Sequence, residues 1–241
     1  MENSFSWEEL SPSLFVCVSG VHKFGTDAFL LSDFAAPRRK DLCCDLGTGC
    51  GIIPLLWFRD DPPRLCYGVD VQKQAIVQLE QSVQKNGLEG RLIPLLADLK
   101  ELSALPCGQL DLVTCNPPYK ARGSGILSET DAEQIARHEV LCTIEDVCEA
   151  AARLLRFGGR LCLCQRPERL CDTLYAMRRA GLEPKRVRFV QQQPHTAPWL
   201  FLVEGKKGSK PYMTVEPPLL IEAEGGFSPE VLRIYHKKEN L

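Results

Sequence analysis

The chain has 241 residues, nearly balanced formal charge (29 Lys and Arg against 31 Asp and Glu) and 12 cysteines. Its length suits one α/β domain with a full core and a short appendage, and is too small for two complete enzymes. The cysteines lie mostly in apolar runs without a Cys-x-x-Cys pair, which favours free buried thiols over a zinc ribbon or a disulfide framework. No apolar stretch is long enough to span a membrane, and the first residues contain no apolar core like that of a signal peptide. We therefore expect a soluble cytoplasmic protein that requires neither a membrane nor a metal.

Short apolar runs alternate with helical patterns along most of the chain. Strands are predicted at 41–46, 65–71, 91–97, 110–116 and 160–165, and helices at 52–59, 72–86, 144–157 and 167–180. The runs are almost continuously apolar, as in buried parallel strands, and two helices end in Asn-Gly or Gly-Gly C-cap signals. Two further strands, 184–193 and 199–205, lack an intervening helix and predict an antiparallel edge hairpin. The pattern predicts an α/β fold with a doubly wound, seven-stranded sheet and an antiparallel final strand.

A glycine-rich turn follows the first of these strands. Asp45-Leu46-Gly47-Thr48-Gly49-Cys50-Gly51 ends a strand and opens a helix, which places backbone amides at a helix N-terminus beside a crevice. Glycines suit that place because a side chain would block a ligand lying against the backbone. Dehydrogenases have similar turns, and some glycine turns bind nothing, so the turn by itself does not identify the ligand.

Acidic residues end the next two strands. Asp70 can accept both hydroxyls of a ribose, and Asp98 can accept a hydrogen bond from an adenine amino group. Either acid alone could equally cap the helix that follows it. Together with Asp45 they mark three successive strand ends and indicate a nucleotide-like cofactor, with Val71 and Leu99 flanking it.

A rigid turn follows the fourth strand. Asn116-Pro117-Pro118-Tyr119 stops the chain at the carboxyl edge of the sheet, and the prolines supply no amide proton. The Asn116 side-chain oxygen and the Pro117 carbonyl can then accept the two hydrogens of an NH2 group. These two hydrogen bonds would direct the nitrogen lone pair toward an electrophile and stabilise the positive charge that develops on nitrogen. Tyr119 offers a ring for stacking a flat acceptor.

The last third of the chain is basic. Between residues 153 and 210 there are 13 Lys or Arg and 4 acids, a split that suggests an anionic partner unless the charges merely cover solvated faces. Lys185, Arg186 and Arg188 on the penultimate strand are the predicted phosphate contacts.

These motifs, in this order, resemble those of class I S-adenosylmethionine methyltransferases that modify exocyclic amino nitrogens. Phe24-Gly25-Thr26-Asp27-Ala28, Ala136-Arg137-His138-Glu139 and the ending from Leu219 to Tyr235 resemble in particular the bacterial tRNA adenine N6-methyltransferases that act next to the anticodon of a valine tRNA. Lys120 departs from the family pattern, in which an aromatic residue often follows the tyrosine of the turn.

The resemblance implies roles for further residues. Gly25, Thr26 and Asp27 would border the methionine end of S-adenosylmethionine, with Asp70 at its ribose and Asp98 at its adenine. Arg137 and His138 would lie near the acceptor, and tRNA would be the partner. The implied organisation is an N-terminal segment, 1–40, that contributes to the cofactor site, a catalytic domain, 41–206, and a C-terminal tail, 207–241.

Other functions share parts of this pattern. Release-factor glutamine methyltransferases also use Asn-Pro-Pro-Tyr, because a glutamine amide presents the same NH2 geometry. They carry a separate helical N-terminal domain, whereas only about 40 residues precede the first predicted strand here. A second alternative is a non-catalytic RNA-binding module on the same fold. A third is a dinucleotide oxidoreductase, in which the acceptor turn would have no role.

Overall fold

The computed structural model describes residues 5–20, 24–117, 142–223 and 225–236. Strands β1 (Ser6–Ser11) and β2 (Leu14–Val18) form an antiparallel hairpin at the start of the chain. Helix α1 (Thr26–Ala35) follows, with Gly25 as its N-cap and Asp27 in its first turn, where a carboxylate complements the positive end of the helix dipole.

The central sheet alternates with helices. Its strands are β3 (Leu42–Leu46), β4 (Leu65–Asp70), β5 (Leu92–Leu96), β6 (Leu110–Cys115), β7 (Leu155–Gln165), β8 (Leu182–Gln191) and β9 (Leu200–Lys207). The helices between them are α2 (Ile52–Arg59), α3 (Lys73–Lys85), α4 (Ile144–Leu154) and α5 (Leu170–Arg179).

The strand order is β8-β9-β7-β6-β3-β4-β5. Strands β3 to β7 pair in parallel, and β9 lies antiparallel between β7 and β8. The predicted α/β fold, with its reversed final strand, is confirmed. After β3 the chain moves to β4 and β5, then returns to place β6 on the other side of β3. The carboxyl ends of β3 and β6 therefore flank the topological switch point, where open α/β sheets bind ligands.

Helices cover both faces of the sheet. One apolar cluster joins buried residues of α1, α2 and α3 to one face, and a second joins α4 and α5 to the other. Within the described ranges, no helix combines the length and apolarity needed to cross a bilayer. All 12 cysteines are free thiols, and most of them are buried, as predicted from their apolar neighbours.

The C-terminal segment packs back onto the domain. Strands β10 (Thr214–Val215) and β11 (Leu219–Leu220) pair with β8, and a small hairpin of β12 (Glu222–Ala223) and β13 (Gly226–Phe227) leads into α6 (Pro229–Tyr235). The Tyr235 ring stacks on Phe29 of α1 at 4.3 Å between centroids, and Arg233 pairs with Asp33. The tail is thus anchored to the helix that carries Asp27.

The helix predicted at 144–157 is shorter than expected. It ends at Leu154, because Leu155 is already extended (φ −68°, ψ 137°) and begins β7. The Gly-Gly pair read as its C-cap lies inside the strand instead, where Gly158 takes φ +78° and a Cβ on Gly159 would lie 2.8 Å from the Leu110 carbonyl oxygen. The two glycines therefore allow the backbone to bend near the start of β7. From sequence alone, this pattern cannot be distinguished from the end of a helix.

Candidate active site

A crevice of about 300 Å³ opens at the switch point. It is lined by Gly47, Gly49, Val69, Asp70, Val71, Gln72, Ala97, Asp98, Leu99, Cys115, Asn116, Pro117 and Cys142. The carboxyl ends of β3, β4, β5 and β6 thus bring together eight residues predicted from sequence, and they do so because parallel strands all end at one edge. The crevice combines apolar walls with a few carboxylate and amide groups, the usual composition of a small-molecule site.

The glycine turn needs its glycines for conformation. Gly47, Gly49 and Gly51 all have left-handed backbones, with φ between 56° and 82°. The turn is held by the Thr48 amide, which donates to the Val69 carbonyl at 2.9 Å, and by the Gly49 amide, which donates to the Asp70 carboxylate at 2.9 Å. Gly51 does not line the crevice; a Cβ there would collide with Leu79 of α3.

Substituting Gly51 with alanine is expected to lower the free energy of unfolding by about 2 kcal/mol, part from the left-handed backbone and part from displacing Leu79. Gly87→Ala is the matched control, because Gly87 also has a positive φ, 62°, but no atom lies within 4 Å of an added Cβ. It should cost about 1 kcal/mol. Urea unfolding measures both, and equal losses would show that the Leu79 contact is unimportant.

Asp70, the last residue of β4, connects this strand to the glycine turn. One carboxylate oxygen accepts from Gly49, and the other accepts from the Gln72 amide at 2.9 Å. Asp98 accepts from the Lys100 amide at 2.9 Å. Asp70 therefore also holds the N-cap residue of α3, whereas the residues after Asp98 form a turn and not the expected helix start. Both acids line the crevice as well, and their contacts with the cofactor remain predictions.

Asp45 does not line the crevice. Its side chain is buried at 1% exposure, and one oxygen accepts a hydrogen bond from the Thr114 hydroxyl at 2.7 Å on the neighbouring strand. The second oxygen is buried and has no hydrogen-bond partner among the described residues. Burial raises the pKa of Asp45 to about 7, although the hydroxyl contact acts in the opposite direction. Its predicted cofactor contact remains a prediction, and the structure places it beneath the turn.

Asp45→Asn is expected to stabilise the protein above neutral pH. An acid whose folded pKa is about 7 and whose unfolded pKa is 3.8 costs stability progressively as pH rises through that interval. Asparagine keeps the oxygen that accepts from Thr114 but carries no charge. Urea unfolding of both proteins should therefore show the variant more stable at pH 8, with the gap closing toward pH 4. A gap independent of pH would contradict an ionisation penalty at Asp45.

Asn116 lies at the end of β6 and is half-buried at the rim of the crevice. Its side-chain amide donates to the Asp27 carboxylate at 3.0 Å, and its side-chain oxygen accepts from the Cys164 thiol at 3.1 Å. The fold therefore brings the predicted Gly-Thr-Asp segment at the start of α1 to the acceptor turn. Gly25, Thr26 and Asp27 themselves do not line the crevice, and their contacts with the cofactor remain predictions.

Several predicted residues lie outside the described part of the chain. These are Pro118 and Tyr119 of the acceptor turn, and Arg137 and His138. Their predicted roles stay predictions.

The predicted phosphate contacts on β8 are engaged within the chain. Arg186 pairs with Glu204 and Glu216, and Arg188 forms a two-pronged contact with Glu230 of α6. The Lys185 ammonium donates to the Lys210 carbonyl, and Lys185 lies near the start of β8, which runs in the same direction as β6. It is therefore far from the carboxyl edge that holds the crevice. The charges of both arginines are matched by carboxylates, so an RNA contact by them remains a prediction that this geometry does not favour.

Five residues of the crevice lining were not predicted from sequence: Val69, Gln72, Ala97, Cys115 and Cys142. The first four adjoin predicted residues at strand ends, so extending each strand-end motif by one residue would have found them. Cys142 precedes α4 and is far along the chain from the other lining residues. No local sequence pattern predicts that it lines the crevice.

The reversed final strand and the crevice at the switch point define the class of Rossmann-like methyltransferases. A family model described as Methyltransferase small domain matches residues 22–179, and the chain belongs to that family. The predicted methyltransferase class is thereby confirmed.

Relatives share the sequence over most of its length. A protein of Tolumonas auensis named tRNA1(Val) (adenine(37)-N6)-methyltransferase is 29% identical over 216 residues, which cover 88% of this chain and 87% of that protein. A protein of Parabacteroides distasonis with the same name is 25% identical over 182 residues, 76% of each chain.

Solved structures show the same fold. A structure described as a predicted O-methyltransferase from Agrobacterium tumefaciens superposes with a TM-score of 0.69 at 22% identity, covering 87% of this chain and 95% of that one. The structure of M. jannaschii TYW2 in complex with AdoMet superposes with a TM-score of 0.58 at 14% identity, covering 86% and 87%. At these identities the similarity concerns the fold alone.

Proposed function

We propose that the protein transfers a methyl group from S-adenosylmethionine to the exocyclic N6 of an adenine in the anticodon-loop region of a tRNA. The observation that carries this proposal is the position of Asn116: it lines the crevice together with Pro117, and its side-chain amide is held at both ends by hydrogen bonds. The names of the relatives supply the tRNA and the adenine N6.

The crevice residues suit this cofactor. Gly47 and Gly49 present bare backbone with no atom within 4 Å of an added Cβ, the space that a ligand lying against the turn requires. Asp70 would accept the ribose hydroxyls and Asp98 the adenine amino group, while Val71 and Leu99 would pack on the apolar parts of the base. When bound, the cofactor supplies an electrophilic methyl group on sulfur. The complex of M. jannaschii TYW2 with AdoMet supports S-adenosylmethionine as the ligand of this fold.

The acceptor turn would orient an NH2 group without a general base. The Asn116 side-chain oxygen and the Pro117 carbonyl would accept its two hydrogens, which directs the lone pair and stabilises the developing charge on nitrogen. Pro118 would keep the turn rigid, Tyr119 would stack on the base, and Arg137 and His138 would lie near it. Such a site requires the base to be turned out of its stack.

The proposed organisation assigns residues 1–40 to the cofactor site, 41–206 to the catalytic domain and 207–241 to a tail. The contact of Asp27 with Asn116 supports the first assignment, and the packing of Tyr235 on Phe29 supports a tail that braces α1. With a tRNA substrate the protein would act in the cytoplasm, and Lys185, Arg186 and Arg188 stay candidate RNA contacts.

The test supplies labelled S-adenosylmethionine and the purified enzyme with total tRNA in one tube and a release factor in another. Label in tRNA that digests to N6-methyladenosine supports the proposal. Label that enters only the release factor would establish glutamine N5 methylation instead. Label in neither, with cofactor binding retained, would favour a binding module.

A further inference from the structure

Cys164 is a buried residue that the crevice lining does not include, yet it touches the acceptor turn. Its position follows from strand register. Thr114 pairs with Cys162 and Cys115 with Leu163 across the parallel strands β6 and β7. The next step along both strands sets Asn116 beside Cys164.

The two contacts of Asn116 are chemically distinct. A carboxylate only accepts hydrogen bonds, so Asp27, 3.0 Å away, faces the NH2 end of the amide. A thiol donates weakly, so Cys164, 3.1 Å away, faces the oxygen end. An amide turned by 180° would set its oxygen against the Asp27 carboxylate, which cannot donate, and its NH2 group against the Cys164 sulfur, which accepts only weakly. The pair therefore selects one of the two orientations that the flat amide could adopt.

We infer that Cys164 and Asp27 are positioning residues that fix the side-chain amide of Asn116 for methyl transfer. This inference rests on the proposed function, because it concerns the group that would hold the acceptor nitrogen. Neither residue needs to touch the acceptor: each acts through Asn116.

Both contacts favour the chemistry ascribed to Asn116. A charged acceptor on the NH2 end polarises the amide and increases the negative charge on its oxygen, the atom that would face a nitrogen gaining positive charge. An amide oxygen can accept two hydrogen bonds, so the thiol contact is compatible with a second from an acceptor NH2. Fixing the side chain beforehand also removes the entropy loss of ordering it during the reaction.

A matched cysteine separates positioning from packing. Cys162 is on the same strand, two residues away and on the same face, and it is as completely buried as Cys164. Its sulfur lies 3.7 Å from a Glu204 carboxylate oxygen, and among the described residues it has no hydrogen bond to Asn116 or Pro117. Replacing either cysteine with alanine removes the same atom from the same core.

The kinetic test compares Cys164→Ala, Cys164→Ser and Cys162→Ala with the unmodified enzyme. Cys164→Ala should lower kcat on tRNA by about three- to tenfold, the range for losing a neutral hydrogen bond. Serine keeps a donor and should restore most of the rate. Cys162→Ala should retain full kcat, and calorimetric affinity for S-adenosylmethionine should be unchanged in all three. Unchanged kcat in Cys164→Ala, or equal losses in both alanine variants, would overturn the positioning role.

A second readout does not depend on the acceptor. The chain contains four asparagines, Asn3, Asn86, Asn116 and Asn240, so protein labelled with ¹⁵N at asparagine side chains gives a sparse NMR spectrum, with Asn116→Ser assigning the Asn116 signals. Cys164→Ala and Asp27→Ala should shift the Asn116 side-chain signals, and Asp27→Ala should speed their hydrogen exchange, whereas Cys162→Ala should do neither. Unmoved Asn116 signals in both variants would overturn the inference. An enzyme that leaves tRNA unmethylated but shows these shifts would refute the proposed function and keep the positioning role.

Discussion

Replacing Asn116 with alanine is expected to slow methyl transfer about a hundredfold or more, with little change in affinity for S-adenosylmethionine. The side chain lies at the rim of the crevice, where its oxygen would meet the acceptor nitrogen. The cofactor contacts are proposed elsewhere, at Asp70, which ends β4, and at Asp98, which follows β5. Loss of a preorganised polar contact at a reacting centre acts mainly on the transition state. Single-turnover kinetics and calorimetry measure the two quantities separately.

Asn86→Ala is the control for general damage. The Asn86 side chain accepts from the Phe15 amide and donates to the Phe15 carbonyl, so it fastens β2 to the end of α3. Its loss should lower the unfolding temperature but leave turnover per folded molecule unchanged. A fully active Asn116→Ala enzyme would show that the turn is structural only, and the proposed role of Asn116 would fail.

Asp70→Ala is expected to weaken S-adenosylmethionine binding by about 1.5 to 3 kcal/mol, a factor of about 10 to 150. Two losses combine. The carboxylate would no longer accept from the ribose, and the Gly49 and Gln72 amides would lose the acceptor that holds the turn against β4. Titration calorimetry measures the affinity.

Asp61→Ala provides the surface comparison. Asp61 is exposed and pairs with Arg39, away from the crevice lining, so its loss should leave cofactor affinity unchanged. If Asp70→Ala bound the cofactor as tightly as the Asp61 variant, Asp70 would have no part in ribose recognition.

Some positions predicted from sequence reached the crevice for a reason that needs no tertiary detail. Gly47, Asp70, Asp98 and Asn116 each sit at the carboxyl end of a predicted parallel strand, and such ends meet at one edge whatever the packing of the helices. The same logic placed Asp45 there, but side chains alternate along a strand, and the carboxyl group of Asp45 faces Thr114 beneath the turn.

The charge pattern was less informative than the strand pattern. The excess of Lys and Arg between residues 153 and 210 predicted an anionic partner, yet Arg186 and Arg188 meet Glu204, Glu216 and Glu230. Glu216 and Glu230 belong to the C-terminal tail, outside the window in which the excess was counted. A count along the chain cannot include carboxylates that only folding brings near.

Alternating apolar runs and turn residues were enough to predict the class of fold, the edge of the sheet that carries the site and the residues at the strand ends, because these features depend on local sequence. The contacts that hold Asn116 could not be predicted in this way. Asp27 lies 89 residues before it and Cys164 lies 48 residues after it. Those contacts depend on the register of β6 against β7 and on the packing of α1 over that face, and both are set by long-range packing that no local pattern records.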